Sequence, residues 1–180
     1  MNNISKAFID ESQEYFTYEG KINLLTNGIS KQITSFPFAF ENLLKTELSA
    51  DKNATRSLNK LNILGESERI TKFYDCNYSR YDGNADVTLS GTLGSREFVP
   101  CTYREICPYE GLLCKFPKGL TKREAQVARR VALSLSDEEM CSTLFISQHT
   151  LRNHKNKIEY KIGQKGKVAI GVWASKNGLI

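Results

Sequence analysis

Three helix starts and one helix stop, packed into the last third of the chain, constrain its folding more than any other feature. Thr121-Lys-Arg-Glu124 and Ser136-Asp-Glu-Glu139 each place a glutamate three residues after a hydroxyl residue. At that spacing the hydroxyl accepts from an exposed helix N–H while the carboxylate reaches back to the cap's own N–H. Ser147 is a third capping residue, and Gly163 suits a left-handed helix end. Val127, Ala128 and Val131 recur at helical spacing up to Leu133–Leu135, a second helix fits Asp137 to Leu144, and a longer one fits 148–162. Two short helices, a tight turn at Phe145-Ile146 and a basic third helix make a helix-turn-helix. A fourth helix is expected over Lys167–Lys176.

Charge separates this segment from the rest. Residues 118–180 carry twelve Lys/Arg against five Asp/Glu, a net +7, while the preceding 117 residues carry a net −2. A compact basic module points to a polyanionic partner. Setting Leu151 at zero and advancing about 100° per residue, Ile158 and Ile162 fall within about 20° of it and His154 within about 60°, so that side packs inward. Asn153 and Tyr160 lie near the opposite pole, flanked by His149, Asn156, Lys157 and Arg152. Asn and Arg can pair bidentately with adenine and guanine edges in the major groove of double-stranded DNA, whereas Lys155, Lys157 and Lys161 can neutralise phosphates.

Gly119-Leu-Thr-Lys-Arg-Glu124, Leu144-Phe-Ile-Ser147, Thr150-Leu-Arg-Asn-His154 and Asn177-Gly-Leu-Ile180 together resemble the DNA-binding domain of LuxR-type, or GerE-type, transcriptional regulators. The resemblance implies a four-helix domain whose third helix enters the major groove and whose fourth often mediates dimerisation. Carried onto this sequence, it implies base reading by Arg152, Asn153 and Asn156, and backbone contacts from Ser147, Thr150, His154 and Lys157, to which the charge argument adds Lys161. It also implies a homodimer on DNA, with Val168, Val172 and Trp173 of the fourth helix as the contact; Trp173 suits intramolecular core equally well. Met140-Cys141 stands where the family commonly has Ile-Ala, and Asn156 where a basic residue is frequent, so the target sequence does not carry over. Cys141 reads as a small buried core residue.

The front half is less explicit. Residues 1–60 read as mainly helical, with an apolar stripe of Phe36, Phe38, Phe40, Leu43, Leu44 and Leu48 and a break at Asp51-Lys-Asn. After Gly65 the chain reads as β, with Ile70, Phe73 and Tyr74 leading to a hairpin signal at Asp82-Gly83-Asn84, then Val87-Thr-Leu and Glu97-Phe-Val. Asp82, Asn84 and Asp86 mimic the opening of a calcium loop, but Val87 and Leu93 occupy the glycine and glutamate positions, which excludes it. Walker and Rossmann motifs are missing, and both histidines, His149 and His154, lie in the basic module. An enzyme is therefore not expected.

Cys76, Cys101, Cys107 and Cys114 are separated by 24, 5 and 6 residues. Three readings stand for them: a structural zinc bound by four thiolates, packed reduced thiols, or a redox switch. Tyr74-Asp-Cys76 through Cys114-Lys is also similar to a cysteine-rich segment of LuxR-type regulators from Bacteroidetes and their mobile elements. The expected organisation is an α+β domain over 1–114, a linker over 115–119 and an all-α helix-turn-helix domain over 120–180. The expected function is a bacterial, cytoplasmic, nucleoid-associated regulator with no membrane partner. The alternative is a docking module whose helix-turn-helix binds RNA polymerase or a second regulator.

Overall fold

A computed structural model describes residues 6–180; residues 1–5 of the expected front domain lie outside it. The chain forms two compact units. One runs up to Cys101 and regains Leu112–Lys115, and the other comprises Thr102–Gly111 with Phe116–Ile180.

In the first unit the β structure lies upstream of where the sequence reading put it. β1 (Glu14–Tyr18), β2 (Lys21–Thr26) and β3 (Ile29–Ile33) form an antiparallel meander in that order. Pairing of Tyr18 with Lys21 and of Thr26 with Ile29 leaves two-residue turns, Glu19-Gly20 and Asn27-Gly28. All four turn residues have positive φ, at 50°, 73°, 50° and 71°. That backbone matches the twist of paired strands and favours glycine at the second position.

Helices α1 (Phe38–Ala50), α2 (Lys52–Lys60) and α3 (Glu66–Asn77) follow. The expected break at Asp51 is present: its carboxylate accepts from the backbone N–H of Asn53 and Ala54 at 2.9 and 3.0 Å, capping α2. The expected β run at Ile70, Phe73 and Tyr74 is corrected to helix α3. Its buried residues Ile70, Phe73, Tyr74 and Asn77 fall at i, i+3, i+4 and i+7, a helical period that outweighs their β propensity. The hairpin expected at Asp82-Gly83-Asn84 is likewise corrected. That turn is held by Glu14, whose Oε1 accepts from Asp82 and Gly83 N–H at 3.1 and 2.9 Å. The segments on either side of it cover the outer edge of β1, with Thr17 N–H donating to Ser79 O before the turn and Gln13 bridging Val87 after it.

The core of this unit is aromatic. Tyr15 of β1 stacks on Phe40 of α1 with ring centroids 3.7 Å apart, while Phe36 meets Phe40 and Tyr74 edge-on at 5.4 and 4.8 Å. Phe38, on the other side of α1, is exposed. Arg96 lies over the Phe73 ring at 4.7 Å and pairs with Glu47 and Asp51 at 2.9 and 2.6 Å.

Beside this core, Asp86 and Glu97 are buried close to Glu14. Burial raises the pKa of both, Asp86 well above the carboxylate range despite the N–H that Tyr15 donates to it, and their mutual repulsion raises Glu97 further. A carboxyl pair of this kind keeps a proton that the unfolded chain gives up near pH 4. The folded form therefore binds more protons above that pH, and stability falls as pH rises. The first unit is expected to melt at a lower temperature at pH 8 than at pH 5.5, and Glu97→Gln to flatten the dependence. Thermal melts across that range check this; a Tm that holds constant in the unaltered chain contradicts it.

The second unit contains α4 (Lys122–Ala132), α5 (Asp137–Leu144), α6 (Gln148–Ile162) and α7 (Lys167–Lys176). Both capping boxes form: Glu124 N–H donates to Thr121 Oγ1 at 3.3 Å and Thr121 N–H to Glu124 Oε2 at 2.7 Å, with Ser136 and Glu139 repeating the arrangement at 3.2 and 2.7 Å. Helix α4 packs on α6 and α7. Val127, Ala128, Val131, Met140, Leu151, Ile158, Ile170 and Trp173 form the core, and Cys141 is half-buried at its margin. The segment Thr102–Gly111 contributes Glu110, whose Oε1 accepts from Arg129 Nη2 at 2.7 Å with both side chains buried. Arg129 Nε donates to Leu179 O at 3.1 Å, so one guanidinium ties together α4, this segment and the end of the chain.

Candidate nucleic-acid interface

Helix α6 is presented by its supports. Phe145 takes a left-handed conformation (φ 53°) that ends α5, and Ser147 Oγ then accepts from Thr150 N–H at 3.1 Å to begin α6. Leu151, Ile158 and Ile162 are buried on one side, as the periodicity requires. Lys155 Nζ lies 2.6 Å from Asp137 Oδ1 at the start of α5, and Lys161 Nζ lies 2.6 Å from Glu124 Oε2 and 2.8 Å from Gly119 O. The middle and the C-terminal end of the helix are thus each pinned by an ion pair as well as by packing.

Arg152, Asn153, Asn156 and Lys157 project into solvent together with Gln148, His149 and Tyr160. Glu159, the sole carboxylate of α6, turns aside from this face to accept from Gly166 N–H at 2.9 Å. The structure places the other expected residues differently. Ser147 caps the helix start, and its hydroxyl lies 2.9 Å from that of Thr150. His154 is half-buried, and burial, followed by Glu124 acting in the opposite sense, sets its pKa below the ordinary histidine value, so its ring is neutral at neutral pH. Lys161 has its ammonium engaged by Glu124 and Gly119. On α7, Val168 and Val172 are exposed while Trp173 is 8% exposed and belongs to the core of its own unit.

This architecture coincides with the matched region. Residues 118–174 match the model for bacterial regulatory proteins of the luxR family. They form a LuxR-family domain. The chain is 32% identical over 60 residues to the uncharacterized transcriptional regulatory protein YxjL of Bacillus subtilis, and 42% identical over 48 residues to the spore germination protein GerE of the same organism. These alignments cover 33% and 27% of this chain, and 28% and 65% of the two relatives. No solved structure matches the chain. The matching model is one of regulatory proteins, and both similar proteins carry names of regulatory or germination proteins rather than of enzymes. Among the described residues, no helix is long and apolar enough to cross a membrane.

The LuxR match does not extend to the four cysteines upstream of it. Cys76, Cys101 and Cys114 belong to the first unit and Cys107 to the second. Among the described residues no three His, Cys, Asp or Glu side chains come together as a metal ion requires. Burial pushes the Cys76 thiol up to about 12; Lys72 opposes this, and Cys114, Asp75 and Cys101 add to it. A protonated, half-buried thiol lacks the thiolate character of a redox-reactive cysteine. Packed reduced thiol is the reading this geometry supports for Cys76.

Two features escaped the sequence reading. Lys155, read as a phosphate neutraliser, has its ammonium 2.6 Å from Asp137 across the turn. The amide of Asn153 is hydrogen-bonded to His149, which their separation of four residues on a helix permits but does not announce.

Proposed function

We propose that the chain is a sequence-specific, DNA-binding transcriptional regulator that reads the major groove with α6. The observation that carries this is the exposed face bearing Arg152, Asn153, Asn156 and Lys157 on a LuxR-family helix that is pinned from behind. Arginine and asparagine supply bidentate hydrogen-bonding groups for base edges, Lys157 supplies charge for a phosphate, and Ser147 and Thr150 lie at the helix N-terminus, where a backbone phosphate is favoured. His154, neutral and half-buried, contributes as a hydrogen-bonding group and not as a cation. A homodimer through Val168 and Val172 of α7 fits the exposed apolar pair there, and its two α6 helices would then address half-sites about one helical turn apart. The input domain is the first unit.

Selection of a randomised duplex pool with the full chain tests the reading. The expected result is enrichment of one motif whose affinity falls steeply with salt, and a log–log salt slope that becomes shallower by about one on Lys157→Ala. A pool that enriches nothing, from a chain that instead retains RNA polymerase or another regulator, would support the docking alternative.

A further inference from the structure

His149 and Asn153 occupy successive turns of the exposed face of α6, and Asn153 Nδ2 lies 3.1 Å from His149 Nε2. Asparagine nitrogen is only a donor. With the amide nitrogen facing it, His149 Nε2 can take part only as acceptor, which requires the tautomer carrying its proton on Nδ1. One of the two amide hydrogens of Asn153 is used by this bond, and the amide is oriented with nitrogen toward the histidine. What remains for an incoming base is Oδ1 and the second N–H, an acceptor and a donor side by side. Adenine offers the complement in the major groove, a donor at N6 and an acceptor at N7. With the amide reversed, one lone pair of its oxygen would meet the histidine and the donor and acceptor offered to a base would exchange places, a poorer match to the fixed order of N6 and N7 in adenine.

We propose that His149 is a positioning residue for base selection: by holding the Asn153 amide in one orientation, it sets an adenine preference at the base pair Asn153 addresses. The inference rests on the DNA-binding reading above and adds to it a residue outside the base-reading set. An exposed asparagine on its own exchanges its amide faces freely, so an orientation fixed before contact lowers the ordering cost of binding the matching base.

The test uses the full chain and the motif enriched from a randomised pool. Binding is measured to duplexes carrying each of the four base pairs at every motif position. Asn153→Ala locates the position that residue reads, by abolishing the preference there. His149→Ala is then expected to reduce the adenine preference at that position about three- to tenfold, the size of one net hydrogen bond. His149→Gln, whose Oε1 can accept from the same N–H, is expected to restore it. The double variant His149→Ala/Asn153→Ala is expected to be no less selective there than Asn153→Ala alone. A His149→Ala protein that keeps its adenine preference would overturn the proposal, as would a His149→Gln protein no better than the alanine variant. If Asn153→Ala changes no base preference at all, the base-reading role of α6 fails first and the proposal falls with it; the two failures are distinguished by which variant is silent.

Discussion

Replacing Glu110 with alanine is expected to destabilise the helical unit by about 3–5 kcal/mol, the usual cost of removing one partner from a buried ion pair. The Glu110 and Arg129 side chains are 1% and 5% exposed, and their 2.7 Å contact leaves the guanidinium little access to water. Without the carboxylate, Arg129 stays buried by its bond to Leu179 O, with the half-exposed Glu105 at 3.6 Å as its remaining counter-charge, and Arg104 loses the partner 3.8 Å away. The more exposed pair of Glu105 with Arg130, 3.0 Å apart, behaves differently, and Glu105→Ala is expected to cost no more than about 1 kcal/mol. Urea denaturation followed by circular dichroism separates the two, and equal, small losses for both variants would contradict the assignment. Glu110 lies outside the region matched to the LuxR family, so a fragment cut back to 118–180 is expected to show the same weakness as the point variant.

That pairing also marks what could be read from the sequence. Capping boxes, the Ser147 cap and the Gly163 stop are local: donors and acceptors sit three residues apart, and the geometry follows from the spacing alone. The helical unit was therefore legible before its structure was known, together with the inward side of α6. The meander β1–β3 was missed although its turns are written as Glu-Gly and Asn-Gly, because β3 is exposed along nearly its whole length and lacks the alternation that signals a strand. Helix α3 was misread in the other direction. Its β-prone residues Ile70, Phe73 and Tyr74 drew attention from a spacing that is helical. Glu110 with Arg129, Lys161 with Glu124 and Lys155 with Asp137 join residues 19, 37 and 18 positions apart. Nothing local distinguishes these charges from solvated ones, so the ion pairs of two lysines read as phosphate contacts, and a buried carboxylate, passed unnoticed.

The separation of anchoring charges from outward ones sharpens the expectation for the recognition face. Arg152→Ala combined with Asn153→Ala should remove two bidentate base contacts, each worth about 1–3 kcal/mol of discrimination. Preference for the enriched motif over random duplex is then expected to shrink at least about thirtyfold, taking the lower figure for each. Both side chains are exposed, so the melting temperature should stay close to that of the unaltered chain. Lys157→Ala acts on a different quantity: it weakens binding to every duplex alike and leaves the motif unchanged. Lys161→Ala provides the internal contrast, since its ammonium is bound to Glu124 and its loss removes a constraint on the capping box at the start of α4. It is expected to lower stability while leaving the salt slope nearly where it was. Competition binding at several salt concentrations, paired with melting of the same samples, reads all of these effects. If Lys161→Ala flattens the salt slope as much as Lys157→Ala does, the pinned lysine opens to reach a phosphate, and the ion pair with Glu124 gives way when DNA binds.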